Sequence, residues 1–142
     1  MKKNYGIVMK FYRVMRWFEV RGFHHIAKFV STIIRILFCC AIPPTTILGP
    51  EVEIAHGLGI VLHLNTVIGA RTKIYQHVTV GNGNGPKIGC DCILGTGCVI
   101  LGNITIGDNV RIGANAVVLQ DVPSNCTAVG VPARIIYRGA KK

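Results

Sequence analysis

Charge is scarce in this sequence: only 15% of its 142 residues are Asp, Glu, Lys or Arg, and the acids number six. Half the residues are hydrophobic, which excludes a disordered chain, since that needs few apolar residues and many charges. The 17 glycines follow no three-residue period, so collagen is excluded as well. Metal-site spacing is missing. Cys39 and Cys40 are adjacent, Cys90, Cys92 and Cys98 are crowded, and Cys126 stands alone, with no CxxC pair and no CxxC…HxxxH. That pattern gives neither a disulfide framework nor a zinc site, and reads as reduced thiols packed as small hydrophobes in a cytosolic protein. Long apolar runs are also lacking. Ile26 to Ile42 contains Lys28 and Arg35, whereas a spanning helix wants about 20 uninterrupted apolar residues. Near the N-terminus Lys10, Arg13 and Arg16 interrupt any apolar h-region, so no secretory signal is expected.

The length suits one domain with a short appendage. The net charge of +10 invites a polyanionic partner, but its distribution argues against nucleic acid. Residues 1–41 carry eight Lys/Arg against Glu19, a net +7, while residues 42–142 carry eight against five acids, a net +3.

From Leu48 onward aliphatic residues recur every six: Leu62, Ile68, Ile74 and Val80, then Ile88, Leu94, Ile100, Ile106, Ile112 and Val118. Two steps are eight instead of six, Ile54 to Leu62 and Val80 to Ile88. A six-residue period fits neither a helix nor a hairpin sandwich, but it fits a parallel β-helix whose coil is a triangle. The aliphatic residue points inward, a following Gly allows the corner, and a second, small inward position falls four residues later, at Thr66, Thr72, Val78, Cys92, Cys98, Val110 and Ala116. Twelve hexads give about four coils. Before them, residues 7–22 and 24–40 read as two helices broken at Gly22, with Phe11, Val14, Met15 and Phe18 forming one apolar face. These basic helices are expected to cap the first coil; resting on an anionic membrane is a compatible second role. The expected division is therefore residues 1–41 helical, 42–137 β-helix and 138–142 a basic tail.

The hexads, with the ending Asp121-Val-Pro-Ser-Asn-Cys-Thr-Ala-Val-Gly-Val-Pro-Ala-Arg-Ile, resemble the hexapeptide-repeat acyltransferases. The run His56-Gly-Leu-Gly-Ile-Val, through Ile74-Tyr-Gln-His-Val-Thr-Val-Gly81 to Leu101-Gly-Asn-Ile-Thr-Ile-Gly107, looks like their serine acetyltransferase branch. The resemblance implies a left-handed β-helix, a homotrimer with active sites between subunits, and acetyl-CoA-dependent O-acetyl transfer in the cytoplasm with no metal.

Such transfer needs a base for the attacking hydroxyl, donors for the oxyanion and a grip on coenzyme A. His56 lies inside the first insertion and by resemblance matches the catalytic histidine. His77 sits one coil along: residue 80 should stack on 62, which brings 77 near the loop 56–59, where it could orient His56 or meet the acceptor. His63 reads as outward, and His24 and His25 as helix surface. For coenzyme A the resemblance points to the glycine-rich loop from Asn82 to Gly85, to Gly95-Thr96 and Gly113-Ala114 along the pantetheine, and to Arg111 and Arg134 near the phosphates. Two departures stand out. Where the branch carries Asp before the histidine, this chain has Ala55, and where it carries Arg-His before Pro-Lys, this chain has Asn84-Gly85. Their loss of charge led to the expectation of a sugar hydroxyl of a surface polysaccharide as acceptor, with L-serine as one alternative and a non-catalytic scaffold as another. A γ-type carbonic anhydrase is disfavoured because His56, His63 and His77 lack a matching spacing.

Overall fold

The computed structural model describes residues 6–139; Lys2 and Lys3 of the basic segment and residues 140–142 of the tail lie outside the described residues. Two helices come first, α1 (Gly6–Val20) and α2 (His24–Phe38). Gly22, at φ +82°, makes the turn between them, and Cys39 in the left-handed region ends α2. Short strands follow: β1 (Ile47–Leu48), β2 (Glu53–Ile54), β3 (Val61–Leu62), β4 (Val67–Ile68), β5 (Lys73–Ile74), β6 (Thr79–Gly81) and β7 (Lys87–Ile88). Then come β8 (Ile93–Leu94), β9 (Val99–Leu101), β10 (Thr105–Ile106), β11 (Arg111–Ile112), β12 (Val117–Val118), β13 (Cys126–Val129) and β14 (Arg134–Tyr137).

Up to β12 every third strand is a neighbour, so the chain winds three parallel sheets: β1-β4-β7-β10, β2-β5-β8-β11-β13-β14 and β3-β6-β9-β12. Only the last pair, β13 with β14, is antiparallel. The register matches the hexads, with Leu48 on Ile68, Ile54 on Ile74 and Leu62 on Val80. Every aliphatic of the series is buried except Leu48, which is half-buried beneath α1, and every second-position residue is buried too. Cys92 and Cys98 are thus core residues, and burial raises both thiols, Cys98 up to about 12. The prism interior is a continuous aliphatic column, each fully buried Ile, Leu or Val contributing about 1.5–3 kcal/mol.

The corners differ from the expectation in one respect. The left-handed residue is the third after each aliphatic, as at Arg71, His77, Asp91, Asn109 and Asn115, and not the Gly that follows the aliphatic. That Gly is required by the next coil: a Cβ on Gly69 would lie 2.5 Å from the Gly89 carbonyl carbon, and one on Gly107 would lie 2.5 Å from the Ser124 amide nitrogen.

The helices cap the open end of the prism. Tyr12 Oη donates to the Thr46 carbonyl at 3.1 Å and accepts from the Leu48 amide at 2.8 Å. Arg16 donates to the Pro44 carbonyl, and Ser31 Oγ to the Ile42 carbonyl. The docked face of α1 is Val8, Met9, Tyr12 and Met15, with Phe11 and Phe18 partly buried. Val14, expected on that face, is 49% exposed. At 3.6 residues per turn it lies about 100° around the helix from Met15, the nearest buried position of that face. No helix among the described residues is long and apolar enough to cross a membrane.

Candidate active site

The prism has three edges, and one collects most of the expected site. After the second-sheet strands the chain turns through 55–60, 75–78, 95–98 and 113–116. Backbone bonds stack these corners: Ala55 N on Ile74 O, Tyr75 N on Leu94 O, and Gly95 N on Ile112 O. His56, His77, Gly95, Thr96, Gly113 and Ala114 therefore lie along a single edge.

The first insertion makes room for His56. Its two extra residues leave the ladder as a loop in which His56, Gly57 and Gly59 all have left-handed φ (66°, 59° and 66°). Gly57 is pressed against α1, where a Cβ would come within 2.7 Å of Val8 Cγ2. The exposed His56 ring lines a small pocket with Gly6, Ile7, Val8, Ile54 and Gly57. His77 packs over the same loop. Its amide donates to the Leu58 carbonyl at 3.0 Å, and its ring occupies the space a Gly59 side chain would need, with Nδ1 only 2.3 Å from that Cβ position. The stacking of coil on coil thus sets His77 against the loop that carries His56, as the spacing implied.

Gly95 and Gly113 leave the edge smooth: a Cβ on Gly95 would lie 2.6 Å from Ile112 O and 2.7 Å from Ala114 N. An extended molecule can lie along such backbone. Arg111, on β11, is exposed on the sheet face beside this edge, and Arg134, on β14, is exposed where that sheet ends. Arg134 also lines a pocket with Val129 to Ala133. Asn82 is the exception. It lies on the edge after the third sheet, where its Oδ1 accepts from Gly83 N, and Asn103 holds the loop through Asn84 N. In one chain this loop is a whole face away from His56. His63 is half-buried, with Nδ1 3.1 Å from the Leu64 carbonyl oxygen. His24 is on the surface beside Glu19, at 3.1 Å.

Four residues were missed from sequence. Tyr75 follows an inward Ile74, and its ring stands 6.5 Å from that of His56, tilted by 40°. Lys73 Nζ lies 5.2 Å from the Tyr75 ring centre and 3.2 Å from Glu53 Oε1. The Glu53 carboxylate raises the Lys73 pKa and holds the ammonium charged. Alternation would have found them: 53 and 55, like 73 and 75, point outward on strands that pair in register. Gln76 Oε1, on the same edge, is a buried acceptor without a hydrogen-bond partner among the described residues.

The comparisons decide the family. Residues 85–120 match the family model described as bacterial transferase hexapeptide (six repeats). A serine acetyltransferase from Helicobacter pylori strain J99 is 40% identical, with 89% of this chain and 78% of the relative covered. The chain belongs to the serine acetyltransferase family. One from Synechococcus elongatus is 42% identical over 89% of this chain and 54% of its own length. Among solved structures, a Neisseria gonorrhoeae serine acetyltransferase superposes with a TM-score of 0.88 at 34% identity, covering 95% of this chain and 55% of that one. A serine acetyltransferase in complex with CoA gives a TM-score of 0.84 at 33% identity, covering 91% and 55%. The fold is the left-handed β-helix of that family. The chain spans little more than half the length of several of the family members it matches.

These relatives overturn the sugar hydroxyl of a surface polysaccharide as acceptor. That expectation rested on Ala55 and Asn84-Gly85, which sit on two different edges. The similarity to proteins named serine acetyltransferase runs at 35–42% identity along about nine tenths of the chain, and two substituted positions do not outweigh it.

Proposed function

We propose that this chain transfers the acetyl group of acetyl-CoA to the hydroxyl of L-serine, with His56 as general base. The observation that carries the reading is the placement of an exposed imidazole in a loop released from the repeat, at the end of a smooth glycine-lined edge. The imidazole takes the hydroxyl proton as the oxygen attacks the thioester carbon. The tetrahedral oxyanion then collapses, the C–S bond breaks, and the imidazolium returns the proton to the departing thiolate. His77, packed on the loop, limits where the His56 ring can go. Pantetheine would run past Gly95-Thr96 and Gly113-Ala114, with Gln76 Oε1 able to accept from an amide N–H. Arg111 and Arg134 would meet the phosphates.

Asn82 fits this site through assembly. The edge that carries it exposes Leu64 and Leu119, and a neighbouring prism covering that edge would bring one copy's loop beside another's His56. A cytoplasmic homotrimer with its active sites between neighbouring prisms is part of the same proposal. Thiol release from acetyl-CoA on addition of L-serine tests the reaction. His56→Ala should lower kcat by about 10²–10⁴-fold with the coenzyme A affinity nearly unchanged, and wild-type turnover in that variant would refute the role.

A further inference from the structure

L-Serine at neutral pH is a zwitterion, so a site that prefers it must present one positive and one negative group at fixed separation. A ligand that lacks either charge leaves one of those groups without its partner and binds less well. Beside His56 the two nearest outward corner positions, Ala55 and Tyr75, carry no charge. One pleat back along the same strands, on the same outward face, stand Glu53 and Lys73, 3.2 Å apart. We propose, on the reading that serine is the acceptor, that this pair is the acceptor clamp: Lys73 takes the carboxylate of the bound amino acid and Glu53 its ammonium.

The geometry and the chemistry agree. An ammonium has three donors, and Lys73 spends one on Glu53 Oε1, leaving donors for a second carboxylate. The Glu53 carboxylate keeps Oε2 and further lone pairs. Both side chains are reachable, 35% and 42% exposed. The Tyr75 ring is a neighbour of both, its centre 5.2 Å from Lys73 Nζ and 6.5 Å from that of the His56 ring. A small amino acid whose two charges rest on the pair can direct its hydroxyl across that ring toward the imidazole. The pair comes from adjacent coils, so one chain supplies it whole.

The test compares acceptors in the full-length assembled protein. L-Serine is measured beside its methyl ester, which lacks the carboxylate, and beside 3-hydroxypropionate, which lacks the ammonium. Lys73→Met should raise KM for L-serine about 10–100-fold, the usual worth of a charge-assisted bond, and abolish the preference over the ester. Glu53→Gln should likewise abolish the preference over 3-hydroxypropionate. KM for acetyl-CoA should stay within twofold in both. The exchanged double variant, Glu53→Lys with Lys73→Glu, keeps an ion pair on the coil and reverses its polarity, so it should remain folded and stay poor toward L-serine. Recovery of serine turnover in it, or an equal loss for all three acceptors in the single variants, would make the pair structural and overturn the clamp. If wild type turns over L-serine and both single variants keep its kcat/KM within threefold, the clamp alone falls. If wild type releases thiol only with other hydroxyl acceptors, the serine reading falls first and takes the clamp with it.

Discussion

Replacing Tyr12 with Phe removes one oxygen and should loosen the cap measurably. Tyr12 is 4% exposed, and its hydroxyl serves two backbone groups of the first coil, donating to Thr46 O and accepting from Leu48 N. Phe keeps the ring and its packing, but strands the carbonyl of buried Thr46 and the amide of Leu48. An unsatisfied buried group costs about 1–3 kcal/mol. Because Leu48 is only half-buried, the pair should total about 2–4 kcal/mol. At roughly 3–5 °C per kcal/mol for a chain of this size, Tm should fall by about 6–20 °C. Calorimetry at fixed protein concentration is the assay, since assembly makes Tm depend on concentration. Hydrogen exchange at the Leu48 amide gives a local readout. Val14→Ala, on the exposed side of the same helix, is the control and should move Tm by little. If Tyr12→Phe shifts Tm by under 1 °C and leaves Leu48 protection intact, the helices do not hold the first coil through this bond.

Gly95→Ala should destabilise by about 1–3 kcal/mol, as overpacking does, because its Cβ would press on the backbone of Ile112 to Ala114; a Tm equal to wild type would refute the tight coil spacing. In native protein at pH 8, iodoacetamide should label exposed Cys39 and spare Cys98, whose buried thiol, pushed up to about 12, is only about one part in 10⁴ thiolate; mass spectrometry before and after unfolding checks this. Asp91 is bound by Arg71 through two hydrogen bonds of 2.7 Å, which lower its pKa. A carboxylate depressed in the folded state contributes stability above its ordinary pKa of 3.8 and loses it as pH falls through the folded value. Asp91→Asn should therefore melt slightly below wild type at pH 7, with the gap closing below pH 3.8; a gap that widens on acidification would reverse the sign and refute it.

The coils were legible in sequence because a solenoid repeats one local rule. Each inward Ile, Leu or Val sees the same neighbours one coil away, so period six fixed all three sheets and even the contact of His77 with the loop at 56–59. The reading went astray where information is not periodic. Val14 matched a helical spacing, yet which face of α1 docks depends on where Thr46 and Leu48 present their backbone. The glycines after each aliphatic were given to the corner, but the space they save belongs to residues about 20 positions on, as Gly69 saves it for Gly89.

The acceptor expectation failed for a related reason. It took the charges lost at Ala55 and at Asn84-Gly85 as losses to the site, as though a site were a set of fixed alignment positions. On a β-helix, charge can move one pleat along a strand and stay on the same face, and the coil step sets its partner beside it. Glu53 and Lys73 are 20 residues apart in sequence and 3.2 Å apart in space. An uncharged corner beside His56 therefore does not exclude a charged acceptor site one pleat away, on the outward face that Glu53 and Lys73 share.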